Sequence, residues 1–319
     1  MSETILGIDV AKKKLDACLM IGSKVLLKKF DNNMKGIKLL EGWLRSLKIE
    51  RAHACLEATG TYSEMVAEFL YEYGHRVSVV NPSRIEAFAR SELKRNKTDS
   101  ADARTIAEFC LEKDLDDWHP LPPEVKQLQA LSRRVEVLEK MLLAEHNRLE
   151  AAPRTVTSSV KRVITDLEKE IDNVQRLIKD HINNNPDLKQ QSELLQTIPG
   201  IGEKTASLLL GEIEFRSFSS ARAVAAYAGV TPRRYQSGTS LNRTRLSKIG
   251  NSRIRKALYF PAIVAVRYNQ VINLFAKRLK ENGKTPMQVI GAAMRKLIHI
   301  AYGVIKSNRP FDPSPALIV

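Results

Sequence analysis

Short apolar runs open the chain. Residues 4–10, TILGIDV, end near Asp9, and KLDACLM and KVLLKKF follow at hairpin spacing with Gly22 between them. These three runs predict antiparallel strands. Ile37, Leu40, Trp43, Leu44 and Leu47 then recur at helical spacing across residues 36–47, and RAHACLEAT predicts a strand ending at Glu57. A helix from about Ser63 to Tyr73 stops at Gly74, and the strand HRVSVVNP closes at Pro82. A further helix, capped by Thr98, runs through Ile106 and Phe109.

Beyond Glu124 the pattern lengthens. Leu128, Leu131, Val135, Leu138, Leu142 and Leu149 follow alternating three- and four-residue spacing, with Glu145 breaking the seam. After Pro153 and a Thr/Ser-rich bend, Val160, Val163, Leu167, Ile171, Val174, Ile178 and Ile182 repeat it. This predicts a coiled-coil-like helical hairpin, used for dimerisation, for spanning between domains, or for plain intramolecular packing. A polar break holding Pro186 leads into LLQTIPGIGEKTASLLLGEI, two short apolar helices around a tight turn, and a short helix from Arg222 to Ala228 ends at Gly229. The terminal RPFDPSPALIV is expected to be a flexible tail.

Charge divides the chain differently. Residues 231–310 carry 17 Lys and Arg against the single acid Glu281, a net +16; with +15 for the whole chain, everything outside that segment nets −1. A near-neutral part joined to a strongly basic part suits chemistry or scaffolding in one and a polyanion in the other. Cys18, Cys55 and Cys110 form no CxxC pair and predict reduced thiols. His119, His146 and His181 lack metal-ligand spacing. No apolar run reaches signal-peptide or membrane-span length, which predicts an intracellular, soluble protein with no membrane partner.

Candidate chemistry begins at NKTDSADAR. With Thr98 as cap, Asp99 and Asp102 share one helix face, a spacing fit for a hard cation, or for a solvated N-terminus that favours acids. The order three strands, helix, strand, helix, strand, helix, with Asp9 in the first strand and Glu57 at the end of the fourth, resembles the RNase H-like fold of RuvC-type nucleases. Such a fold brings Asp9, Glu57, Asp99 and Asp102 to one sheet edge. Four such carboxylates repel one another unless cations offset them, and two Mg²⁺ ions about 3.5–4 Å apart are the usual solution for phosphoryl displacement.

The segment around Pro199, Gly200, Gly202, Lys204 and Thr205 resembles a helix-hairpin-helix motif. Its glycines and the amides opening the next helix suit close approach to a phosphate. Further on, Ser237, Thr239, Ser240 and Ser247 lie among Arg233, Arg234, Arg243, Arg245 and Lys248. A hydroxyl in that setting either acts as a nucleophile or simply contacts phosphate. No histidine stands near in sequence to make a Ser/His/Asp triad.

Taken in order, GIDVAKKKLD, CLEATGTY, VVNP, NKTDSADAR, IPGIGEKTA, YAGVTPRRYQSGTS and GNSRIRKALYFPA resemble the DEDD-type transposases of bacterial insertion sequences, the bridge-RNA-guided serine recombinases. The resemblance spans nearly the whole chain. It implies a RuvC-like mixed α/β domain over residues 1–120, a coiled-coil hairpin over 121–185, and a mainly helical transposase domain over 186–319. It further implies Asp9, Glu57, Asp99 and Asp102 as catalytic, Mg²⁺-binding acids and Ser240 as the nucleophile of a phosphoserine intermediate, with Ser237 and Thr239 as neighbouring hydroxyls that only the resemblance sets aside. Donor and target DNA, a guiding non-coding RNA and a dimer of dimers are the implied partners, and a bacterial cytoplasm, at the nucleoid during activity, the implied location. Two other readings remain open. One is a Mg²⁺-dependent junction nuclease of the same N-terminal fold, without a covalent intermediate. The other is a nucleic-acid-packaging protein, which the intact acidic set disfavours.

Overall fold

The computed structural model describes residues 4–93, 98–237 and 241–314, and the chain divides into two units, Met1–Pro120 and Leu121–Val319. In the first, β1 (Ile5–Val10), β2 (Lys14–Ile21) and β3 (Lys24–Asp31) form an antiparallel meander turned at Gly22, whose φ of +58° suits a residue without Cβ. Then come α1 (Met34–Ser46), β4 (His53–Glu57), α2 (Thr61–Glu72), β5 (Arg76–Val80), α3 (Pro82–Ser91) and α4 (Asp99–Glu112). Strand β4 joins β1 in parallel and β5 joins β4, giving one five-stranded mixed sheet of order β3-β2-β1-β4-β5.

Strand alternation sorts the side chains between two layers. Leu6, Ile8, Ala54 and Leu56 pack with Ile37, Leu40 and Leu44 of α1 and with Val66 and Leu70 of α2. Ile5, Cys18 and Cys55 pack on the other side with Phe88 of α3 and Ile106, Ala107 and Cys110 of α4. Being covered on both faces is why β1 reads as a near-continuous apolar run. The edge strand β3 is largely exposed and carries Lys24, Lys28 and Lys29, charges that discourage edge-to-edge pairing. All three cysteines are buried and none is in a disulfide.

The second unit opens with α5 (Pro123–Ala151) and α6 (Arg154–Asn184). Two details correct the expected pattern. The Thr/Ser-rich stretch after Pro153 is helical: the Thr157 hydroxyl donates to the Pro153 carbonyl at 3.1 Å, so a hydroxyl-rich sequence is accommodated inside the first turns. The seam of α6 runs through Ile164 (7 % exposed), while Val163 is 41 % exposed. A one-residue shift in phase follows from taking a three-residue step after Val160 where the helix takes four.

Next come α7 (Pro186–Gln196), α8 (Glu203–Glu212) and α9 (Ala221–Tyr227), then β6 (Pro232–Ser237) and β7 (Leu241–Leu246). Helices α10 (Ser252–Ala257), α11 (Tyr259–Tyr268), α12 (Gln270–Glu281) and α13 (Pro286–Ser307) complete the unit. A single core joins Val135 and Leu138 of α5, Val174 and Ile178 of α6, Leu195 of α7, Leu209 of α8 and Leu297, Ile298 and Ala301 of α13. Helix α13 starts with a capping box in which the Thr285 amide donates to Gln288 Oε1 at 2.9 Å. Past α13 the chain stays attached at least to Phe311, whose amide donates to Thr197 Oγ1 at 2.9 Å. Residues 315–319, the end of the expected flexible tail, lie outside the described residues. The β6–β7 ribbon is the departure from a helical C-terminal region. No helix among the described residues is long and apolar enough to cross a membrane.

Candidate active site

Period-two geometry assembles the acids. On β1, Ile5, Gly7 and Asp9 point to the α4 side. Register places Asp16 of β2 directly opposite Asp9, and Glu57 ends β4 one step past the paired Ile8 and Leu56. Three carboxylates thus share one level of the sheet. Helix α4 supplies two more, because Thr98 caps it through Oγ1, accepting from the Ala101 amide at 3.3 Å, and Asp99 and Asp102 occupy its first turn.

Gly7 sets the height at which α4 sits. A Cβ there would run into the Ala103 carbonyl and the Ala107 amide and lie 2.7 Å from the Ala107 Cβ. Only glycine lets β1 and α4 approach this closely, and that approach brings the first turn of α4 over Asp9.

The electrostatics record the convergence. The Asp9 carboxyl is pushed up to about 6 from its ordinary 3.8, by burial first and then by Asp102, Asp99, Glu57 and Asp16. Asp99 is shifted the other way: a hydrogen bond from Lys14 Nζ holds its carboxyl below the usual range, and the same bond raises the Lys14 ammonium. Lys14 Nζ also lies 3.6 Å from Asp16, and Lys29 Nζ lies 3.2 Å from the other Asp16 oxygen. Asp16 is 2 % exposed, and neither of its oxygens has a hydrogen-bond partner of good geometry.

Such a donor set, all carboxylate oxygen, fits a hard divalent cation and not a thiophilic metal. Among the described residues, no three His, Cys, Asp or Glu side chains already converge on one point at ligating distance, and the lysines supply the positive charge.

In the second unit a turn at Pro199–Gly202 joins α7 to α8, and its residues play different structural parts. Gly200 has a φ of +109°, and a Cβ there would lie 2.7 Å from the Pro261 carbonyl and 3.0 Å from the Ala265 Cβ, so this glycine serves packing against α11. Pro199 beside it is half-buried. Gly202 is exposed and opens α8 without a side-chain cap, which leaves the first amides of that helix, through Thr205, for another acceptor. Lys204 is exposed and ion-paired with Glu139 of α5.

The basic segment is a ribbon. Arg233 and Arg245 are direct cross-strand partners, and Arg234 pairs with Thr244 and Tyr235 with Arg243. Arg233, Arg234 and Arg245 are exposed, and the Arg233 guanidinium lies 4.9 Å from the Tyr235 ring centroid. Like charges placed opposite each other destabilise a two-stranded ribbon unless an anion lies between them. Lys248, exposed at a φ of +57°, accepts from Arg255 through its carbonyl at 3.2 Å. Ser240, with Gly238 and Thr239, lies outside the described residues.

Sequence reasoning passed over Asp16, Lys14 and Lys29. Their signal was the β1–β2 register: once KLDACLM pairs back on TILGIDV through Ala11–Lys13, Asp16 must face Asp9. It also passed over the β6–β7 ribbon, whose strands carry arginines and hydroxyls with little apolar alternation.

Residues 6–155 match the DEDD-type transposase family of the IS110 element, and residues 192–277 match the family described as transposase IS116/IS110/IS902. Over 318 residues, 98 % of either chain, the protein is 38 % identical to the pilin gene-inverting protein of Moraxella bovis. The pilin gene-inverting protein of Moraxella lacunata is 37 % identical over the same length. The transposase for insertion sequence element IS1328 of Yersinia enterocolitica is 26 % identical over 288 residues, 78 % of this chain and 83 % of that protein. A DEDD-type domain points to divalent-metal use, in keeping with the all-carboxylate donor set. With an acidic cluster held by the sheet and both transposase regions matched, the chain belongs to the IS116/IS110/IS902 family of transposases and is an enzyme that cuts and rejoins DNA.

Proposed function

We propose that the protein is a serine-dependent DNA recombinase in which a RuvC-like domain, residues 1–120, presents Asp9, Glu57, Asp99 and Asp102, and the C-terminal transposase domain presents Ser240. The observation that carries the reading is the convergence on Asp9, whose carboxyl is raised by burial and by Asp102, Asp99 and Glu57 together. Those four carboxylates would hold Mg²⁺, which when bound neutralises charge building on the scissile phosphate. The chain's own residues do the rest. Ser240 Oγ attacks phosphorus as its proton passes to solvent, the P–O bond to the leaving strand breaks and that oxygen takes up a proton to leave a free hydroxyl end, and the DNA remains joined to the serine until a hydroxyl displaces it and returns the proton to Ser240. Arg233, Arg234, Arg243, Arg245 and Lys248 bind the backbone and stabilise the extra negative charge of the transition state. The turn at Pro199–Gly202, with the amides of Lys204 and Thr205, acts as a helix-hairpin-helix contact to phosphate.

Donor and target DNA are the substrates. A segment rich in Lys and Arg, in a chain only 6 % aromatic, suits backbone binding, and a guiding non-coding RNA supplies sequence recognition by base pairing. The helical hairpin of α5 and α6, residues 121–185 with its flanks, serves as a coiled-coil connection. Met141, Leu143, Val156 and Val163 are exposed toward its free end and support a dimer contact there, within a dimer of dimers. Similarity to two pilin gene-inverting proteins favours inversion of a DNA segment as one outcome of the reaction, beside transposition.

The test is a denaturing gel of the full chain with its RNA, Mg²⁺ and end-labelled junction DNA. A slow-migrating species that survives denaturant, disappears with protease and is absent in Ser240→Ala is expected. Nicking without an adduct, unchanged in Ser240→Ala, supports instead a metal-dependent junction nuclease that uses water.

A further inference from the structure

Helix α11 begins with two aromatic residues that the proposed chemistry does not use. Phe260 is 73 % exposed, and its ring centroid lies 5.4 Å from that of Tyr259 at an interplanar angle of 79°. It stands between two cavities. One, of about 570 Å³, lies at the root of the β6–β7 ribbon, between Leu246, Tyr259 and Phe260 on one side and Met287 and Met294 of α13 on the other. The second, of about 960 Å³, lies between α5, α6 and α8 and is also lined by Phe260.

Arg253 and Lys256 line both cavities and are exposed at their rims. Arg253 Nε and Lys140 Nζ lie 3.1 and 2.9 Å from Glu136, so the acid lining the first cavity is ion-paired, whereas the second cavity also has Glu139, Asp172 and Glu203 in its wall. Gly291 keeps the inner wall low: a Cβ there would come within 3.3 Å of the Leu246 side chain.

The ligand chemistry follows. The first cavity exceeds one planar heterocycle in volume, its walls are aromatic and thioether surface, and its rim is cationic. Its surroundings belong to a segment with 17 Lys and Arg against one acid, which favours a polyanion over an ordinary protein surface. A group that is flat and apolar in the middle and anionic on either side is a nucleotide lifted from its stack.

We propose that the cavity at the root of the β6–β7 ribbon takes an unstacked nucleobase of the DNA, stacked on Phe260, with Arg253 and Lys256 on the flanking phosphates. The site rests on the enzyme's binding of DNA. It would hold open the duplex next to the ribbon and favour DNA that already contains an unpaired base, because the cost of unstacking is then partly met.

The experiment compares the full chain on two labelled duplexes of one sequence, fully paired and carrying a single bulged base, by fluorescence anisotropy. Wild type should bind the bulged duplex about 10-fold more tightly than the paired one, Phe260→Ala should lose that preference, and Phe260→Trp should keep it. Equal affinity of wild type for both duplexes, or a preference that survives in Phe260→Ala, overturns the site and leaves DNA binding intact. No binding to either duplex overturns the DNA-binding reading and this site with it. Sedimentation of Phe260→Ala distinguishes the other occupant: a change in oligomeric state without loss of the bulge preference assigns this face to a second copy of the chain and overturns the nucleobase site.

Discussion

Asp9 and Glu57 stand at the ends of central strands sealed on both faces, with α4 laid over them at a height set by Gly7, whereas Arg233, Arg234 and Arg245 stand on an exposed two-stranded ribbon. The first region spends packing on holding like charges together. The second leaves like charges facing one another, Arg233 opposite Arg245, with little core beneath them. A preorganised group of carboxylates must keep its geometry when the charge it offsets is absent, so it is built into a sheet. A surface that grips a backbone needs charge more than position, so it can be a ribbon that settles against its ligand.

This contrast predicts that small changes far from the ionic groups damage the acidic site most. Gly7→Val forces a side chain into the Ala103–Ala107 backbone, so it should destabilise the first unit by about 3 kcal/mol and lower strand cleavage at least about 100-fold. Denaturant unfolding and a cleavage assay check both. A comparable substitution on the ribbon, Gln236→Val, should change stability by less than about 0.5 kcal/mol. Equal effects at the two positions would remove the distinction.

Asp9 sharpens the comparison through pH. Its folded carboxyl titrates at about 6 against an ordinary 3.8, so the folded state holds this proton more tightly. Ionising it therefore costs stability: nothing below about pH 4, increasing as pH rises to about 6, and in full above. Asp9→Asn should stabilise the metal-free protein at pH 7.5 by about 1–2 kcal/mol, allowing for partial exposure of the group, and by nearly nothing at pH 4. Unfolding midpoints at the two pH values test this. On the ribbon the smallest effect is expected, and it is one of salt: Arg234→Ala should reduce the slope of log affinity against log salt by about 1, with stability unchanged.

How much of this was legible differs between the same two regions. The order of strands and helices in the first unit follows from short apolar runs punctuated by Gly22, Gly74 and Pro82, and Thr98 marks the start of α4. The fifth carboxylate, Asp16, was not legible from the run it sits in, because its partner is set by hairpin register and not by local pattern. Lys14 and Lys29, which lie against it, are brought there by the same pairing of β1, β2 and β3. In the second unit the long helices were legible, but their phase was not: Ile164 rather than Val163 faces inward, a difference only partner packing decides. The ribbon had no apolar stripe to announce it, because its strands bury little. Gly200 looked like a phosphate-binding glycine by motif, and its close neighbours are instead the backbone and side chains of α11.

In the proposed reaction the hydroxyl of Ser240, and no other, becomes covalently joined to DNA. The most direct measurement of this is peptide mass spectrometry of the trapped protein–DNA species after nuclease and protease digestion. A residual nucleotide on Ser240, lost in Asp102→Asn as well as in Ser240→Ala, is the predicted result. Modification at Ser237 or Thr239, or cleaved DNA with no modified peptide, would contradict it.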